Sequence, residues 1–134
     1  MADLNWTGTT VTGRTFEGTS LNGKPALLWF WAPWCPICAS QIPSVDNLVQ
    51  KYKGRVNFVG IGGLDTAEAI EKGQEVRDGV TSLVDDGGQV WARFTVSQQA
   101  VFVVLDAQGH IPWNSATNPG SWNEVGDKIA AVAG

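Results

Sequence analysis

The chain has 134 residues, a length typical of one domain, and 43% of its residues are hydrophobic while 16% are charged. Its net charge of −4, with nine Lys and Arg scattered among thirteen Asp and Glu, argues against a nucleic-acid partner, which selects a basic surface. No apolar run approaches the ~20 residues of a membrane-spanning helix. No basic and apolar leader opens the chain, so either the protein is cytoplasmic or a targeting segment has been removed. We therefore expect one globular domain over residues 1–134.

The first half of the chain predicts a hairpin, a buried strand and a long helix. Residues 5–20, with isolated large apolar side chains among Thr and Gly, indicate a short β-hairpin. The continuous apolar run at residues 26–31 is typical of a strand that is covered on both faces. From residue 35 to about residue 53, apolar side chains recur at helical spacing, and Pro43 lies inside this helix and should kink it.

The second half predicts two further strand–helix pairs, a hairpin and a closing helix. A buried strand at 55–62 precedes Asp65-Thr-Ala-Glu68, a capping box that should open a helix to about Val76. A strand at 81–84, a turn at Asp85 and Asp86 and a helical turn at 89–94 follow. The hairpin consists of a strand at 101–105, a turn started by the Asp106 side chain and a strand from a solvent-facing His110 to Trp113. A second capping box at 121–124 opens the closing helix. Buried strands that alternate with helices predict an α/β fold with a central mixed sheet flanked by helices.

Cys35 and Cys38 are the only cysteines, and they stand three residues apart where the predicted helix follows the buried strand. A structural zinc site needs four ligands and His110 is the only histidine, so we expect no metal and no cofactor. Two cysteines in a first helical turn can close a disulfide. An idle surface disulfide and a metal-carrying dithiol remain as alternatives, whereas peroxidase chemistry would need a Thr at position 32, where the chain has Ala.

The position of each cysteine predicts its role in thiol–disulfide exchange. Unpaired backbone N–H groups and the helix dipole favour an anion at a helix N-terminus, which lowers the pKa of Cys35 and makes it the exposed, attacking or leaving thiol. Cys38, one turn deeper, would be the resolving thiol. Pro36 suits the first turn because its missing N–H would have no partner within the helix.

The segment Phe30-Trp-Ala-Pro-Trp-Cys-Pro-Ile-Cys38, with Pro43 five residues on, resembles the signature of the thioredoxin superfamily. It is most similar to the bacterial extracytoplasmic TlpA-, ResA- and DsbE-type proteins, and among them to the secreted DsbE and DsbF proteins of actinobacteria. The resemblance implies a thioredoxin-like fold and thiol–disulfide oxidoreductase activity. It also implies an extracytoplasmic address, with the leader or anchor absent from this chain. Its expected partners are reduced, unfolded or newly exported proteins and a membrane redox protein that recycles the enzyme.

Two departures from this resemblance bear on the direction of electron flow. Reductive members of the group carry a Glu three residues after the second cysteine, and thioredoxins carry a buried Asp in the preceding strand. Gln41 and Trp29 stand at these positions, and neither accepts a proton at neutral pH. This favours an oxidase over a reductase, and a non-catalytic binding module on the same scaffold is the third possibility.

A third departure lies where the resemblance places substrate binding. Ala100 stands where the family has a cis-proline at the start of the strand that faces the cysteines. Because a cis bond before a residue other than proline costs roughly 3–4 kcal/mol, we expect the Gln99–Ala100 bond to be trans. Gln98 and Gln99 are candidates for docking a substrate backbone. The residues expected to complete the active-site surround are Trp34, Pro36 and Ile37.

Overall fold

The computed structural model describes residues 3–73, 79–118 and 122–133, which form seven strands and four α-helices. The elements are β1 (Thr7–Thr10), β2 (Thr15–Glu17), a 3₁₀ helix (Gly18–Leu21), β3 (Ala26–Trp31), α1 (Pro36–Tyr52), β4 (Asn57–Gly62), α2 (Ala67–Gly73), β5 (Val80–Val84), α3 (Gln89–Arg93), β6 (Val101–Leu105), β7 (Trp113–Asn114) and α4 (Trp122–Ala133). Among these helices, none combines the length and the apolar character needed to cross a membrane.

All strands belong to one mixed sheet in the order β2-β1-β5-β4-β3-β6-β7. Strands β3, β4 and β5 are parallel, while β1 pairs with β2 and β5, and β6 pairs with β3 and β7, in antiparallel fashion. The central mixed sheet, its flanking helices and the N-terminal β-hairpin are therefore confirmed.

Strand β3 forms the centre of the core because all six of its residues are buried. Its alternate side chains enter two different clusters. Leu27 and Trp29 pack on the face that also contains apolar side chains of α1 and α4, and Phe30 packs on the opposite face against Trp91 of α3. Burying a side chain such as Leu27 or Phe30 contributes roughly 1.5–3 kcal/mol, so a continuous apolar run is what this position in the sheet requires.

The hairpin after β6 differs from the prediction in its second strand. The Asp106 carboxylate accepts hydrogen bonds from the N–H groups of Gln108 and His110, so the predicted side-chain turn is confirmed. Burial raises the pKa of Asp106, but these backbone N–H groups and the nearby His110 together lower it more, and the pKa lies below its ordinary value. Strand β7 begins only at Trp113, not at His110, because Pro112 has no N–H to donate to a strand ladder. His110 is exposed, outside any strand.

The capping residue of α2 lies one residue beyond the predicted one, Asp65. The Thr66 hydroxyl accepts the N–H of Ala69 at 3.2 Å, while the Asp65 carboxylate accepts the N–H of Thr66 at 2.7 Å. Thr66 is therefore the capping residue, because it directly precedes the first helical residue and its oxygen reaches an unpaired N–H of the first turn. The predicted end at Val76 and the predicted cap at 121–124 involve residues outside those described.

Asp85 does more than form the predicted turn. Its side chain is buried and accepts hydrogen bonds from the N–H groups of Val90, at 3.2 Å, and Trp91, at 2.9 Å. These N–H groups lie in the first turn of α3, where they have no partner within the helix. Asp85 therefore anchors α3 to the end of β5, and of the two Asp residues only Asp86 is exposed.

Candidate active site

Three chain segments meet at the end of the sheet where β3 finishes. Strand β3 pairs in parallel with β4, with Trp31 opposite Gly62, and antiparallel with β6, with Phe30 opposite Val101. The loop that leaves β3, the loop that leaves β4 and the segment that enters β6 therefore converge at one edge. The loop after β3 leads directly into α1 and carries the two cysteines.

Cys35 is the capping residue of α1, with an extended backbone at φ −95° and ψ 107°. Its sulfur accepts a hydrogen bond from the backbone N–H of Cys38 at 3.1 Å and forms a disulfide with the sulfur of Cys38. The two Cα atoms are 5.3 Å apart, a spacing usual for a disulfide. Pro36 is the first helical residue, where its missing N–H is harmless. The Cys35 sulfur thus lies at the helix N-terminus, as the sequence predicts.

The exposure of the two cysteines differs from the expectation. Cys35 is 6% exposed and Cys38 is 2% exposed, so the order is as predicted but Cys35 is not an exposed residue. Its side chain turns over the first helical turn toward Cys38 and joins the cluster formed by Trp29, Trp31 and neighbouring apolar residues. A partner can therefore reach only a small part of Cys35.

Exposed apolar side chains flank the disulfide. Trp34 is 52% exposed and Ile37 is 65% exposed, on either side of Cys35 in the chain. The Trp34 indole N–H donates to the Leu64 carbonyl at 3.1 Å, which ties the loop after β3 to the loop after β4. Leu64 is itself 45% exposed and has a left-handed backbone with φ 58°. Leu64 is not among the site residues predicted from the sequence, although the preceding Gly62-Gly63 indicates a loop at this point.

The segment before β6 lies at the same edge of the sheet. Gln98 is exposed, and Gln99 and Ala100 are half-buried. Ala100 packs against the cluster that contains both cysteines. The Gln99–Ala100 peptide bond is cis, so the expectation of a trans bond is wrong. Tertiary packing, and not the intrinsic preference for a trans bond, determines the isomer here, because buried Val96 and strand β6 hold the two ends of this segment. The role of the two Gln side chains in docking stays a prediction.

The two stretches of chain that carry the disulfide and the Gln98–Ala100 segment contain no ionisable side chain other than the cysteines. Residues 25–45 contain no Asp, Glu, Lys, Arg, His or Tyr, and residues 94–105 contain none either. The side chains of Trp29 and Gln41 are hydrogen-bonded to each other at 3.1 Å. In the part of the chain that the structure describes, no three His, Cys, Asp or Glu side chains come together as a metal site would require.

Comparison with known proteins gives the chain a family. The AhpC/TSA family profile matches residues 3–114. The soluble secreted antigen MPT53 of Mycobacterium tuberculosis is 38% identical over 131 residues, which cover 96% of this chain and 75% of that protein. The thiol-disulfide oxidoreductase ResA of Bacillus anthracis is 32% identical over 88 residues, covering 54% of this chain and 51% of that protein.

Two solved structures extend the likeness over nearly the whole chain. The structure of MTB dsbF has a TM-score of 0.85 at 35% identity and covers 98% of this chain and 99% of that one. A secreted Mycobacterium tuberculosis disulfide oxidoreductase homologous to E. coli DsbE has a TM-score of 0.80 at 38% identity, with 96% of both chains covered. The chain belongs to the AhpC/TSA family, with a thioredoxin-like fold, and is a thiol–disulfide oxidoreductase whose CxxC pair is Cys35 and Cys38.

Proposed function

We propose that this protein is an oxidase that donates the Cys35–Cys38 disulfide to reduced, newly exported proteins. A substrate thiolate attacks the Cys35 sulfur, the Cys35–Cys38 bond breaks, and the electron pair stays on the Cys38 sulfur, which takes up a proton. A second substrate thiolate then attacks the substrate sulfur of the mixed disulfide and releases Cys35 as a thiolate. The substrate loses two electrons, which the two enzyme cysteines gain.

The hydrogen bond from the Cys38 N–H to the Cys35 sulfur is the observation that carries this proposal. A sulfur at the N-terminus of α1 faces the positive end of the helix dipole and accepts a backbone N–H, and both interactions are stronger for a thiolate than for a neutral thiol. The Cys35 thiolate is consequently a good leaving group, and the reduced enzyme is favoured over the disulfide. Cys35 is therefore the residue that forms the mixed disulfide. Cys38 is the thiol released when the mixed disulfide forms, and it resolves that intermediate only in the reverse, reductive direction.

The neutral pair of Trp29 and Gln41 supports the oxidising direction. A reductase needs Cys38 to lose its proton before it attacks the mixed disulfide, and a carboxylate close to it would accept that proton. Gln41 lies one turn after Cys38 in α1, but an amide does not take up a proton at neutral pH. The chain therefore lacks, at this position, a group that would speed the reductive direction.

The proposed substrate surface consists of Trp34, Ile37, Gln98, Gln99 and Ala100. These side chains lie at the edge of the sheet where the disulfide is reached, and the first two are exposed and apolar. Reduced, unfolded polypeptides present apolar side chains and free backbone groups, which these residues and the amides of Gln98 and Gln99 can bind. Because residues 25–45 and 94–105, which carry this surface, contain no charged side chain, we expect substrates to bind it mainly through apolar contacts and hydrogen bonds.

The names of two relatives support an extracytoplasmic location. One is a soluble secreted antigen and the other a secreted disulfide oxidoreductase. Each turnover leaves Cys35 and Cys38 as thiols, so an electron acceptor must restore the disulfide. We place that acceptor in the cell-envelope membrane.

The reduction potential of the Cys35–Cys38 pair tests the direction. Equilibration with glutathione redox buffers, followed by alkylation of the free thiols, should give a potential of about −120 to −180 mV, in the range of strong protein oxidants. A value near about −270 mV, that of thioredoxin, would contradict the oxidase and favour a reductase. Failure to oxidise a reduced, unfolded protein at any potential would instead indicate a binding module.

A further inference from the structure

A cavity of about 70 Å³ lies beneath the disulfide, and both cysteines form part of its wall. Its origin lies in the sheet. Trp29, Gly60 and Ser82 are in register across β3, β4 and β5, so their side chains share one face. Gly60 contributes no side chain between the large indole and the small hydroxyl. The gap that it leaves is closed on the opposite side by the first turns of α1, which carry Cys38.

The cavity also contains an unsatisfied hydrogen-bond donor. Trp31 lines it and is only 5% exposed, and its indole N–H has no hydrogen-bond partner among the described residues. A Cβ atom added at Gly60 would lie 3.7 Å from the Trp31 Nε1, so the N–H borders the gap at Gly60. A buried donor without a partner costs free energy, and such groups are commonly satisfied by ordered water.

Space and polarity are both sufficient for water. One water molecule needs about 10–15 Å³ of cavity volume, well below the volume of this cavity. The hydroxyl-bearing Ser82 lies on the wall together with Trp31, and the two sulfur atoms add weak donors or acceptors. The site therefore offers the two or more polar partners that an ordered water molecule requires.

We propose that ordered water, held in this cavity by the Trp31 indole N–H, is the proton donor and acceptor of Cys38. When a substrate thiolate opens the disulfide, the electron pair stays on the Cys38 sulfur, which takes a proton from the cavity water, and bulk water replaces that proton. When the disulfide closes, the Cys38 thiol returns its proton to the same water before its sulfur attacks. Trp31 is thus a positioning residue. The inference rests on thiol–disulfide exchange alone and holds in either direction of electron flow.

The sequence around Cys38 favours this route. Residues 25–45 and 94–105 contain no acid or base other than the cysteines, and Gln41 cannot ionise. Cys38 is 2% exposed, so its sulfur does not exchange protons directly with bulk water. The cavity is the space, shared with Cys38, in which a proton carrier fits.

Substitution Gly60→Ala tests the proposal with little disturbance. The added methyl group would lie 3.7–3.8 Å from its nearest neighbours, Trp31, Trp29 and Val80, which is ordinary contact, yet it would occupy the space beside the Trp31 N–H. We expect the opening of the disulfide by dithiothreitol at pH 7 to slow about tenfold, equivalent to ~1.4 kcal/mol. We also expect the pKa of the Cys38 thiol, measured in a Cys35→Ala background, to rise because its thiolate loses a water contact. Gly126→Ala in α4, where nothing lies within 4 Å, is the matched control and should change neither quantity.

A second substitution and one direct observation complete the test. Trp31→Phe removes the N–H and should slow the same step, and it should add little in the Gly60→Ala background because both changes remove the same water. In the unaltered protein, NMR should show magnetisation transfer from water to the Trp31 indole proton. Unchanged kinetics and an unchanged Cys38 pKa in Gly60→Ala would overturn the proposal. So would a dry cavity, which would show no water transfer and would bind xenon. If Gly60→Ala fails to fold, the NMR measurement decides.

Discussion

The indole N–H of Trp29 donates a hydrogen bond to the side-chain oxygen of Gln41 at 3.1 Å. Trp29 belongs to the central strand β3, and Gln41 lies one turn after Cys38 on α1. The bond fixes the orientation of the amide, because the indole N–H can donate only to the amide oxygen, and the NH₂ group, a donor, is then directed away from the indole. Trp29 lines the cavity beneath the disulfide together with both cysteines, so its hydrogen bond with Gln41 joins two neutral groups, neither of them a base, on that side.

Substitution Gln41→Glu should place a base beside Cys38 without disturbing the fold. A carboxylate has the shape of the amide and can still accept the Trp29 N–H. At pH 7 it should speed the attack of the Cys38 sulfur on a mixed disulfide about tenfold, less than the 10²–10⁴ typical of a well-placed general base because the site is not optimised for it. The measurement is the release of a fluorescent thiol from a preformed mixed disulfide at Cys35, followed from pH 5 to pH 8.

Gln50→Glu is the matched control, because it adds the same charge to an exposed position on the same helix. It should leave the release rate within about twofold, since a charge exposed to solvent is strongly screened. Equal acceleration by both variants would show that net charge, and not a base at position 41, controls the step. If Gln41→Glu does not accelerate the release, the neutral side chain at position 41 no longer supports the oxidising direction.

The two cysteines should be separable by single substitutions. Cys38→Ser should accumulate a mixed disulfide between Cys35 and a disulfide-bonded substrate protein. The Cys35 thiolate attacks the substrate disulfide and a substrate thiolate leaves, and no resolving sulfur remains to break the adduct, while the helix N-terminus is intact. Cys35→Ser should form no such adduct, since Cys38 is 2% exposed. Intact-mass spectrometry under non-reducing conditions counts the adducts. An adduct of Cys35→Ser as abundant as that of Cys38→Ser would reverse the proposed roles.

The sequence predicted those features that arise from short-range patterns. The apolar run of β3, the helical spacing after Cys35 and the Asp106 turn each follow from local periodicity or from one side chain, and the structure has all three. The CxxC pair was identified for the same reason, since its spacing and its place between strand and helix are visible in the chain.

Features that depend on distant residues could not be predicted in this way. The cavity beneath the disulfide needs the register of Trp29, Gly60 and Ser82 on three strands, which no local pattern reveals. The burial of Cys35 and the role of Asp85 likewise depend on which elements cover them. Leu64 was missed because its importance lies in a backbone carbonyl, which is common to all residues.

Asp85→Ala should destabilise the fold by roughly 2 kcal/mol, because two N–H groups at the start of α3 lose their acceptor in a buried place. Urea denaturation measures the change. Asp86→Ala removes the neighbouring, exposed carboxylate and should change the free energy of unfolding by less than about 0.5 kcal/mol. Equal effects of the two substitutions would mean that the buried hydrogen bonds of Asp85 contribute little.

Leu64 allows the backbone and the side chain beside the active site to be tested separately. Its φ of 58° lies in the left-handed region, which costs a residue with a Cβ about 1 kcal/mol and costs Gly almost nothing. Leu64→Gly should therefore be more stable than Leu64→Ala by about 1 kcal/mol in urea denaturation, the reverse of the usual order for these two residues. Both variants keep the carbonyl that accepts the Trp34 N–H and lose the exposed apolar side chain, so they should lower the rate of substrate oxidation to the same extent if that side chain contacts the substrate. A more stable Leu64→Ala would contradict the left-handed conformation, and different oxidation rates would mean that backbone geometry at position 64, in addition to apolar contact, controls access to Cys35.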